Sequence, residues 1–355
     1  MVLEEFLAEW QNAADCVAVH TSGSTGKPKA MLVEKRRMMA LARVQCDFLG
    51  LRRGHVAMLC MQLDYIGAKM VVVRCIERGM RLVAVQPSGH PLADREAVMI
   101  DFSQRPWCIV PLRSWTEAGA PDFAAMVPMQ VYNTLGDAAE TQWLRRVGHL
   151  IIGGGAIDDA LAFRLCDFPN PVWSTYGMTE TLSHIALRRI NGAAGNSWYV
   201  PFEGVAVSAS ADGCLVVDAP MVHNGLLLTN DRVEITRLPD AQGGKVAFRV
   251  LGRKDNVIVS GGVKIQIEEV ERRLRPLLAV PFMVTKLADE KFGEAVVLLT
   301  EDADVAAVAG ICAAALPKYW QPRTIFPVSH VPVTPNGKPA RAEAALLAAR
   351  LQSGR

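Results

Sequence analysis

The sequence predicts an α/β protein with a large part followed by a smaller one, and three observations lead to this prediction. Over about the first 195 residues, short apolar segments alternate with helix-like segments, which is typical of βα units around a mostly parallel sheet. Between residues 196 and 251, short strands follow one another between turns such as His223-Asn224-Gly225, which indicates a small antiparallel barrel or sheet. After Gly252, helices and strands alternate again.

These changes of pattern also predict the domains. We expect a large domain over residues 1–251, with a β-barrel-like part at about 196–251, and a small α+β domain over residues 252–355. The boundary between them is predicted at residues 253–256. A chain of 355 residues exceeds the usual size of one compact domain, which agrees with this division.

Individual elements follow from the apolar pattern, because short apolar runs predict strands and amphipathic runs predict helices. In the large domain, strands are predicted at 14–20, 31–34, 56–60, 82–85, 108–110, 150–152 and 172–175, and helices at 35–48, 66–78 and 158–168. In the small domain, the prediction is a helix at about 268–274, strands near 282–287 and 295–299, an alanine-rich helix, and a last helix from Arg341.

The composition excludes several classes of protein. A net charge of +2 lacks the basic excess of a nucleic-acid-binding surface, and 50% hydrophobic residues argue against disorder. The first ten residues contain three glutamates in place of the basic start of a secretion signal, and the longest apolar stretch is too short to cross a bilayer. Eight dispersed cysteines without a CxxC pair indicate reduced thiols in a cytoplasmic protein and no zinc site.

A loop rich in glycine, hydroxyl and lysine side chains, TSGSTGKPK at residues 21–29, separates the first two predicted strands. Glycines let backbone N–H groups approach a phosphate, hydroxyls donate further hydrogen bonds, and lysine adds positive charge. The loop is not a Walker A loop, because only two residues separate Gly23 from Gly26 and Lys27 precedes a proline. On composition alone it also fits a flexible surface turn.

The loop resembles the phosphate-binding signature of the adenylate-forming superfamily, which includes acyl-CoA synthetases, nonribosomal peptide adenylation domains and luciferases. Further motifs of that superfamily follow in the same order along the chain. The resemblance implies the adenylate-forming enzyme fold, with a truncated N-terminal region because only twenty residues precede the loop. It also implies that the loop binds ATP phosphates, through Thr21, Ser22, Gly23, Ser24, Thr25, Gly26 and Lys27.

The segment WSTYGMTET is similar to the adenine and magnesium motif of the same superfamily. The resemblance implies that Tyr176 stacks on adenine and that Thr179 hydrogen-bonds the α-phosphate. Glu180 would hold Mg²⁺, a cation that prefers oxygen ligands. Gly177 and Met178 complete the nucleotide-binding part of the motif.

Two shorter elements resemble the borders of the nucleotide site. Gly154, Gly155 and Ala156 match the element whose backbone borders the adenine. Asp231 in LLLTND matches the aspartate that would bind the ribose hydroxyls, although Asn230 replaces the usual glycine.

The segment GRKDNVIVSGGVKIQIEEVE resembles the hinge signature of the superfamily. By this resemblance residues 253–256 form a hinge that makes the small domain mobile. Arg253 is directed to the ribose or phosphate, and Asp255 is the pivot between the two domains. Gly261, Gly262 and Lys264 match the loop that enters the active site for thioester formation.

Lys338 in VPVTPNGKPAR matches the catalytic lysine of the superfamily's C-terminal motif. A single mobile positive charge would stabilise the negative charge that develops during adenylation. The resemblance therefore implies an AMP-forming acid–thiol ligase that uses ATP, Mg²⁺ and coenzyme A.

The resemblance to the superfamily implies that the acid site lies in CMQLDYIGAKMVVVRCIERG, where Tyr65 and Arg74 are candidate contacts of the acid. An arginine among apolar residues requires an anionic partner if it is buried, although a snorkelling arginine or a structural ion pair fits the same pattern. The compact chain and the segment QLDYI resemble the short versions of the o-succinylbenzoate–CoA ligases of menaquinone biosynthesis, in which an arginine at the matching place meets the carboxylate of an aromatic diacid.

Other functions remain open at this point. The chain could be another aryl- or acyl-CoA ligase, or an adenylating pseudoenzyme or fragment that serves a carrier protein. In each case the expected partners are small molecules, namely a carboxylic acid, ATP and CoA, with no nucleic acid and no membrane insertion. Whether identical subunits assemble into a homo-oligomer stays open.

Overall fold

The structure is a computed structural model. It describes residues 1–20, 30–239, 244–334 and 339–354. The predicted phosphate loop and Lys338 lie outside the described residues.

The nine described α-helices alternate with strands over most of the chain. They are α1 (Leu3–Gln11), α2 (Lys35–Leu49), α3 (Ile66–Arg78), α4 (Pro128–Thr134), α5 (Ala138–Leu144), α6 (Asp159–Leu165), α7 (Ile267–Leu274), α8 (Val305–Ala315) and α9 (Arg341–Ser353).

The described strands fall into four sheets. Those of the first 201 residues are β1 (Cys16–His20), β2 (Ala30–Glu34), β3 (Val56–Leu59), β4 (Arg81–Val85), β5 (Ala97–Asp101), β6 (Ile109–Leu112), β7 (Phe123–Met126), β8 (His149–Ile152), β9 (Val172–Met178), β10 (Ser183–Arg189) and β11 (Val200–Pro201). The later strands are β12 (Ala206–Ala209), β13 (Cys214–Asp218), β14 (Leu226–Leu238), β15 (Lys245–Arg253), β16 (Val257–Ser260), β17 (Val263–Gln266), β18 (Phe282–Asp289), β19 (Gly293–Thr300) and β20 (Thr324–Pro327).

A nine-stranded sheet in the order β11-β10-β9-β8-β7-β3-β4-β5-β6 organises the first part of the chain. The five central strands, from β9 to β4, run parallel. Antiparallel neighbours continue the sheet at both edges. The predicted parallel sheet is therefore present at the centre, whereas the predicted strand 108–110 lies at an antiparallel edge.

Helix α3 is the most completely buried helix next to this sheet. Nine of its residues are buried, and it packs against α2. Apolar residues of α3 such as Met70 and Val72 are fully buried, and such a side chain contributes about 1.5–3 kcal/mol of hydrophobic stabilisation. Helix α3 also buries two cations, Lys69 and Arg74.

The second part of the chain forms two smaller sheets. Strands β12 to β15 pair antiparallel in chain order, which matches the sheet alternative of the sequence prediction for residues 196–251. A five-stranded sheet follows, in which β20 pairs parallel with β19. Helices α7 and α8 share one hydrophobic core with this sheet, and α9 packs on β18. The domain boundary at residues 253–256 remains a prediction.

Among the described residues, no helix combines the length and the apolar character that crossing a membrane requires. All eight cysteines are described, and none forms a disulfide.

Candidate active site

A cavity of about 490 Å³ opens at the carboxyl ends of the parallel strands. Its wall contains residues that end or directly follow β3, β7, β8 and β9, among them Met61, Val127, Gly154 and Met178. The chain runs from β3 outward to β4 and later returns to β7 on the other side of β3. Such a switch point leaves a crevice at the carboxyl ends of the strands, which is where open α/β sheets bind ligands.

The cavity brings together residues from three separate predicted motifs. Its lining includes both candidate acid contacts and four candidate nucleotide residues, namely Tyr65, Arg74, Gly154, Gly177, Met178 and Thr179. The acid and nucleotide candidates are about 80 to 110 residues apart in the sequence. A single cavity can therefore hold an acid beside a nucleotide phosphate.

A tight turn between β9 and β10 shapes one wall of the cavity. A Cβ atom on Gly177 would lie 2.0 Å from the carbonyl oxygen of Ser183, so only glycine allows the two strands to approach this closely. Leu182 adopts a left-handed conformation with φ of 59°, which is uncommon for a residue with a side chain. The Thr181 hydroxyl lies 2.7 Å from the Ser183 carbonyl oxygen and stabilises this turn. His184 follows and also lines the cavity.

Arg74 contributes a buried positive charge to the cavity. Only 1% of the residue is exposed, and burial lowers the pKa of its guanidinium to about 10, so it stays charged at neutral pH. Its Nε donates to Oε1 of Gln45 at 2.8 Å, and its guanidinium lies over the Phe123 ring. No carboxylate pairs with Arg74 among the described residues, and its Nη1 has no hydrogen-bond partner there. The structural ion pair considered for this arginine is therefore absent from the described part of the chain.

Thr179 and Glu180 lie in a short 3₁₀ turn, Thr179–Thr181, directly after β9. Thr179 is buried and lines the cavity, while Glu180 is half-buried. Among the residues that the structure describes, no cluster of three or more His, Cys, Asp or Glu side chains could hold a metal. One carboxylate suits Mg²⁺ bound mainly by phosphate oxygens and water, so Glu180 fits the predicted role of a single protein ligand.

Tyr176 does not line the cavity. Its ring is 8% exposed and packs edge-on against Phe248, and its hydroxyl donates to Oδ2 of Asp231 at 2.6 Å. Burial, and then the nearby Asp231 carboxylate, raises the pKa of the Tyr176 hydroxyl. Stacking of this ring on adenine is therefore not visible in this arrangement and remains a prediction from the sequence.

Three predicted residues of the ribose and hinge region lie together beside Tyr176. Arg253 Nη1 is 3.3 Å from Asp231 Oδ1, and Arg253 Nη2 is 3.0 Å from Asp255 Oδ2. The amide of Asn230, which replaces the usual glycine, donates to the same Asp255 oxygen at 3.1 Å. Asn230 thus contacts Asp255, the predicted pivot, directly.

Of the other predicted residues, those that the structure describes lie outside the cavity wall. Gly155 and Ala156 follow Gly154 without lining the cavity. Gly261 and Gly262, both with positive φ, form the turn between β16 and β17, and the Lys264 side chain on β17 is exposed. Thr21, Ser22, Gly23, Ser24, Thr25, Gly26, Lys27 and Lys338 lie outside the described residues.

Two buried glutamines that hydrogen-bond to residues of the cavity wall were not predicted from the sequence. Gln45 on α2 joins Arg74 to the backbone of β10, because its Nε2 donates to the His184 carbonyl oxygen at 2.7 Å. Gln130 on α4 donates to the carbonyl oxygens of Cys60 and Ser88, both at 2.9 Å. The sequence indicates Gln45 only as a polar residue at a buried position of a predicted helix. The hydrogen-bond partners of Gln45 are far away along the chain.

The family pattern described as AMP-binding enzyme matches residues 5–218, which is more than half of the chain. The chain belongs to the AMP-binding enzyme family. This AMP-binding enzyme is 26% identical to the 2-succinylbenzoate–CoA ligase of Bacillus mycoides (strain KBAB4), over 96% of the chain and 72% of the relative. It is 27% identical to the enzyme of the same description from Bacillus thuringiensis subsp. konkukian, over 92% of the chain and 68% of the relative.

Solved structures with a similar fold agree with this family assignment. An acyl-CoA synthetase (AMP-forming)/AMP-acid ligase II-like protein from Dyadobacter fermentans is 30% identical in sequence and has a TM-score of 0.59. The match covers 96% of this chain and 91% of that protein. The o-succinylbenzoate coenzyme A synthetase from Bacillus subtilis, in complex with ATP and magnesium, is 21% identical over 92% of this chain and 69% of its own, with a TM-score of 0.70. The predicted adenylate-forming fold and the predicted class of AMP-forming acid ligases are confirmed.

Proposed function

We propose that this AMP-binding enzyme joins o-succinylbenzoate to coenzyme A through an acyl-adenylate, as a step of menaquinone biosynthesis in the cytoplasm. The observation that carries the proposal is the buried guanidinium of Arg74, which has no described acidic partner and lines the same cavity as Thr179. The 2-succinylbenzoate–CoA ligases that the chain resembles support the choice of acid.

The chemistry needs two steps because a carboxylate is a poor electrophile. In the first step, a carboxylate oxygen of the acid attacks the α-phosphorus of ATP, the bond to pyrophosphate breaks, and a mixed anhydride with AMP forms. In the second step, the CoA thiolate attacks the acyl carbon, and the bond to the AMP oxygen breaks. Thr179, Lys338 and the N–H groups of the loop at residues 21–27 would stabilise the negative charge on the phosphoryl oxygens. Mg²⁺ held by Glu180 would neutralise part of the phosphate charge.

The remaining predicted residues take roles around these steps. Tyr65 would contact the acid, and Asp231 and Arg253 would bind the nucleotide. Gly154, Gly155 and Ala156 would border the adenine together with Tyr176, Gly177 and Met178. Rotation of the C-terminal part about Asp255 would withdraw Lys338 and bring Gly261, Gly262 and Lys264 inward for the thioester step.

Arg74 favours an acid with two carboxylates over an acid with one. A buried charge without a partner is unfavourable, and a second carboxylate of the substrate would neutralise it while the first carboxylate reacts. o-Succinylbenzoate has this pair of charges, whereas benzoate has one carboxylate that cannot meet Arg74 and the α-phosphorus together.

A panel of acids tests the proposal. The purified chain would be incubated with ATP, Mg²⁺ and either o-succinylbenzoate, benzoate-type acids or aliphatic acids, each with and without CoA, while pyrophosphate and AMP are measured. We expect pyrophosphate release with o-succinylbenzoate and AMP turnover only when CoA is added. Turnover with benzoate-type acids but not with o-succinylbenzoate would identify another aryl-CoA ligase instead. Acyl-adenylate that forms but does not react with CoA would identify a carrier thiol as the acceptor.

A further inference from the structure

His184 lies beside Arg74 in the cavity wall and is also buried. The residue lines the cavity, and 4% of it is exposed. Its Nε2 has no hydrogen-bond partner among the described residues, as is also true of Arg74 Nη1. Buried polar atoms are almost always hydrogen-bonded in folded proteins, so two such atoms on neighbouring side chains of one cavity indicate a site for a ligand.

The hydrogen bonds of the other ring nitrogen determine the tautomer of His184. Its Nδ1 lies 3.4 Å from Arg74 Nη2 and 3.2 Å from the Ser183 hydroxyl. A guanidinium only donates, so Nδ1 accepts, and the hydrogen of a neutral ring is then on Nε2. Burial, and then the charge of Arg74, holds the pKa of His184 well below its usual value, so the ring is neutral near pH 7. The unpartnered Nε2 is therefore a hydrogen-bond donor.

The Nε2–H of the neutral His184 ring and the Nη1–H of the charged Arg74 provide two hydrogen-bond donors and one net positive charge, which fit a single carboxylate. We propose that His184 is a specificity-determining residue that, together with Arg74, binds the non-reacting carboxylate of the acid substrate. The Nε2–H of His184 donates to one carboxylate oxygen, and Nη1 of Arg74 donates to the other. This inference rests on the proposed function, and it adds a second contact to the acid site.

The surroundings hold both donors in place. Gln45 is fully buried and bonds to Arg74 through its oxygen and to the His184 carbonyl through its nitrogen. The strained turn at Leu182 sets the direction in which β10 begins. The Phe202 ring lies 5.6 Å from the His184 ring, measured between centroids. Gln45 is therefore a positioning residue for a preformed carboxylate site.

Two substitutions of His184 distinguish the effect of its Nε2–H donor from the effect of its ring shape. His184→Phe keeps a flat ring but removes the donor, whereas His184→Gln keeps an N–H group close to the position of Nε2. Each variant would be assayed by CoA-dependent AMP release with o-succinylbenzoate and with 4-oxo-4-phenylbutanoate, which lacks the ring carboxylate. His330→Phe, at a histidine with an 88% exposed side chain, is the matched control.

We expect His184→Phe to raise the KM for o-succinylbenzoate by about tenfold or more, because a hydrogen bond to a charged group is lost. The KM for 4-oxo-4-phenylbutanoate should stay within about twofold, kcat should change little, and His184→Gln should recover most of the affinity. An equal rise of both KM values, or a Gln variant as weak as the Phe variant, would overturn the role of His184 but leave the proposed function intact. Failure of the wild-type enzyme to use o-succinylbenzoate while it uses another acid would overturn both.

A measurement on the wild-type enzyme does not depend on the folding of any variant. Nitrogen-15 NMR of labelled histidine should show the Nε2–H tautomer for one buried ring, and titration with o-succinylbenzoate should shift the signal of that proton. An Nδ1–H tautomer, or a signal that o-succinylbenzoate leaves unchanged, would contradict the proposal.

Discussion

At the scale of single residues, two buried cations on α3 differ in what stabilises them. Lys69 donates to the Ala18 carbonyl oxygen at 2.6 Å and lies 3.8 Å from Glu9, whereas Arg74 has no acidic partner among the described residues. Removing one partner of a buried ion pair is destabilising, but removing a buried charge that has no ionic partner relieves an unfavourable interaction. The same type of substitution should therefore have opposite effects at the two positions.

We predict that Arg74→Met keeps or raises the free energy of unfolding, by up to about 1 kcal/mol, while the KM for o-succinylbenzoate rises about 30-fold or more. Lys69→Met is the control on the same helix, and it should lower the free energy of unfolding by about 1–2 kcal/mol without changing the choice of acid. Urea unfolding and steady-state kinetics measure the two effects. A loss of several kcal/mol in Arg74→Met would mean that this arginine has a structural role.

At the scale of elements, Arg341 at the start of α9 forms an ion pair with Glu271 on α7 and a hydrogen bond with β18. Arg341 Nη2 donates to Glu271 Oε2 at 2.6 Å, and Arg341 Nη1 donates to the Val284 carbonyl oxygen at 3.0 Å. Although burial opposes its charge, the hydrogen bond and charge of Glu271 raise the pKa of Arg341. Because α9 begins three residues after Lys338, this pair fixes one end of the segment that carries the predicted catalytic lysine.

We predict that Glu271→Met and Arg341→Met each lower the free energy of unfolding by about 3 kcal/mol, because each leaves one charge of the pair, the half-buried Arg341 or the buried Glu271, without its partner. The double variant should lose less than the sum of the two single losses, since both charges are then absent. Chemical denaturation of the wild type and the three variants measures this cycle. Additive losses would mean that the pair does not act as a unit.

At the scale of the whole molecule, local motifs could be predicted from the sequence, whereas the contacts between them could not. The strands around the glycine-rich elements, helix α3 and the candidate residues Arg74 and Thr179 follow from short patterns. The positions of β5 and β6 at an antiparallel edge depend on which strands pair, which apolar runs alone do not reveal. Gln45 was missed because its two partners lie 29 and 139 residues away, and the burial of Tyr176 depends on Phe248 in a different sheet.

The two half-reactions should depend on different parts of the chain. We predict that Lys338→Ala reduces acyl-adenylate formation by about 100-fold or more while thioester formation from supplied acyl-adenylate and CoA changes little. The reason is that only the first step builds negative charge on the phosphoryl oxygens that this lysine would meet. Each half-reaction is measured alone, by pyrophosphate release and by acyl-CoA formation. An equal loss in both would contradict the assigned role.

The central claim is that one cavity activates a carboxylate through a bond to AMP. The most direct test uses o-succinylbenzoate labelled with oxygen-18 in its carboxylates, together with ATP, Mg²⁺ and CoA, and mass spectrometry of the AMP that is released. The carboxylate oxygen that attacks the α-phosphorus stays with AMP when the thiolate displaces it, so we predict AMP that carries one labelled oxygen. Unlabelled AMP, with the label in inorganic phosphate or pyrophosphate, would contradict the account.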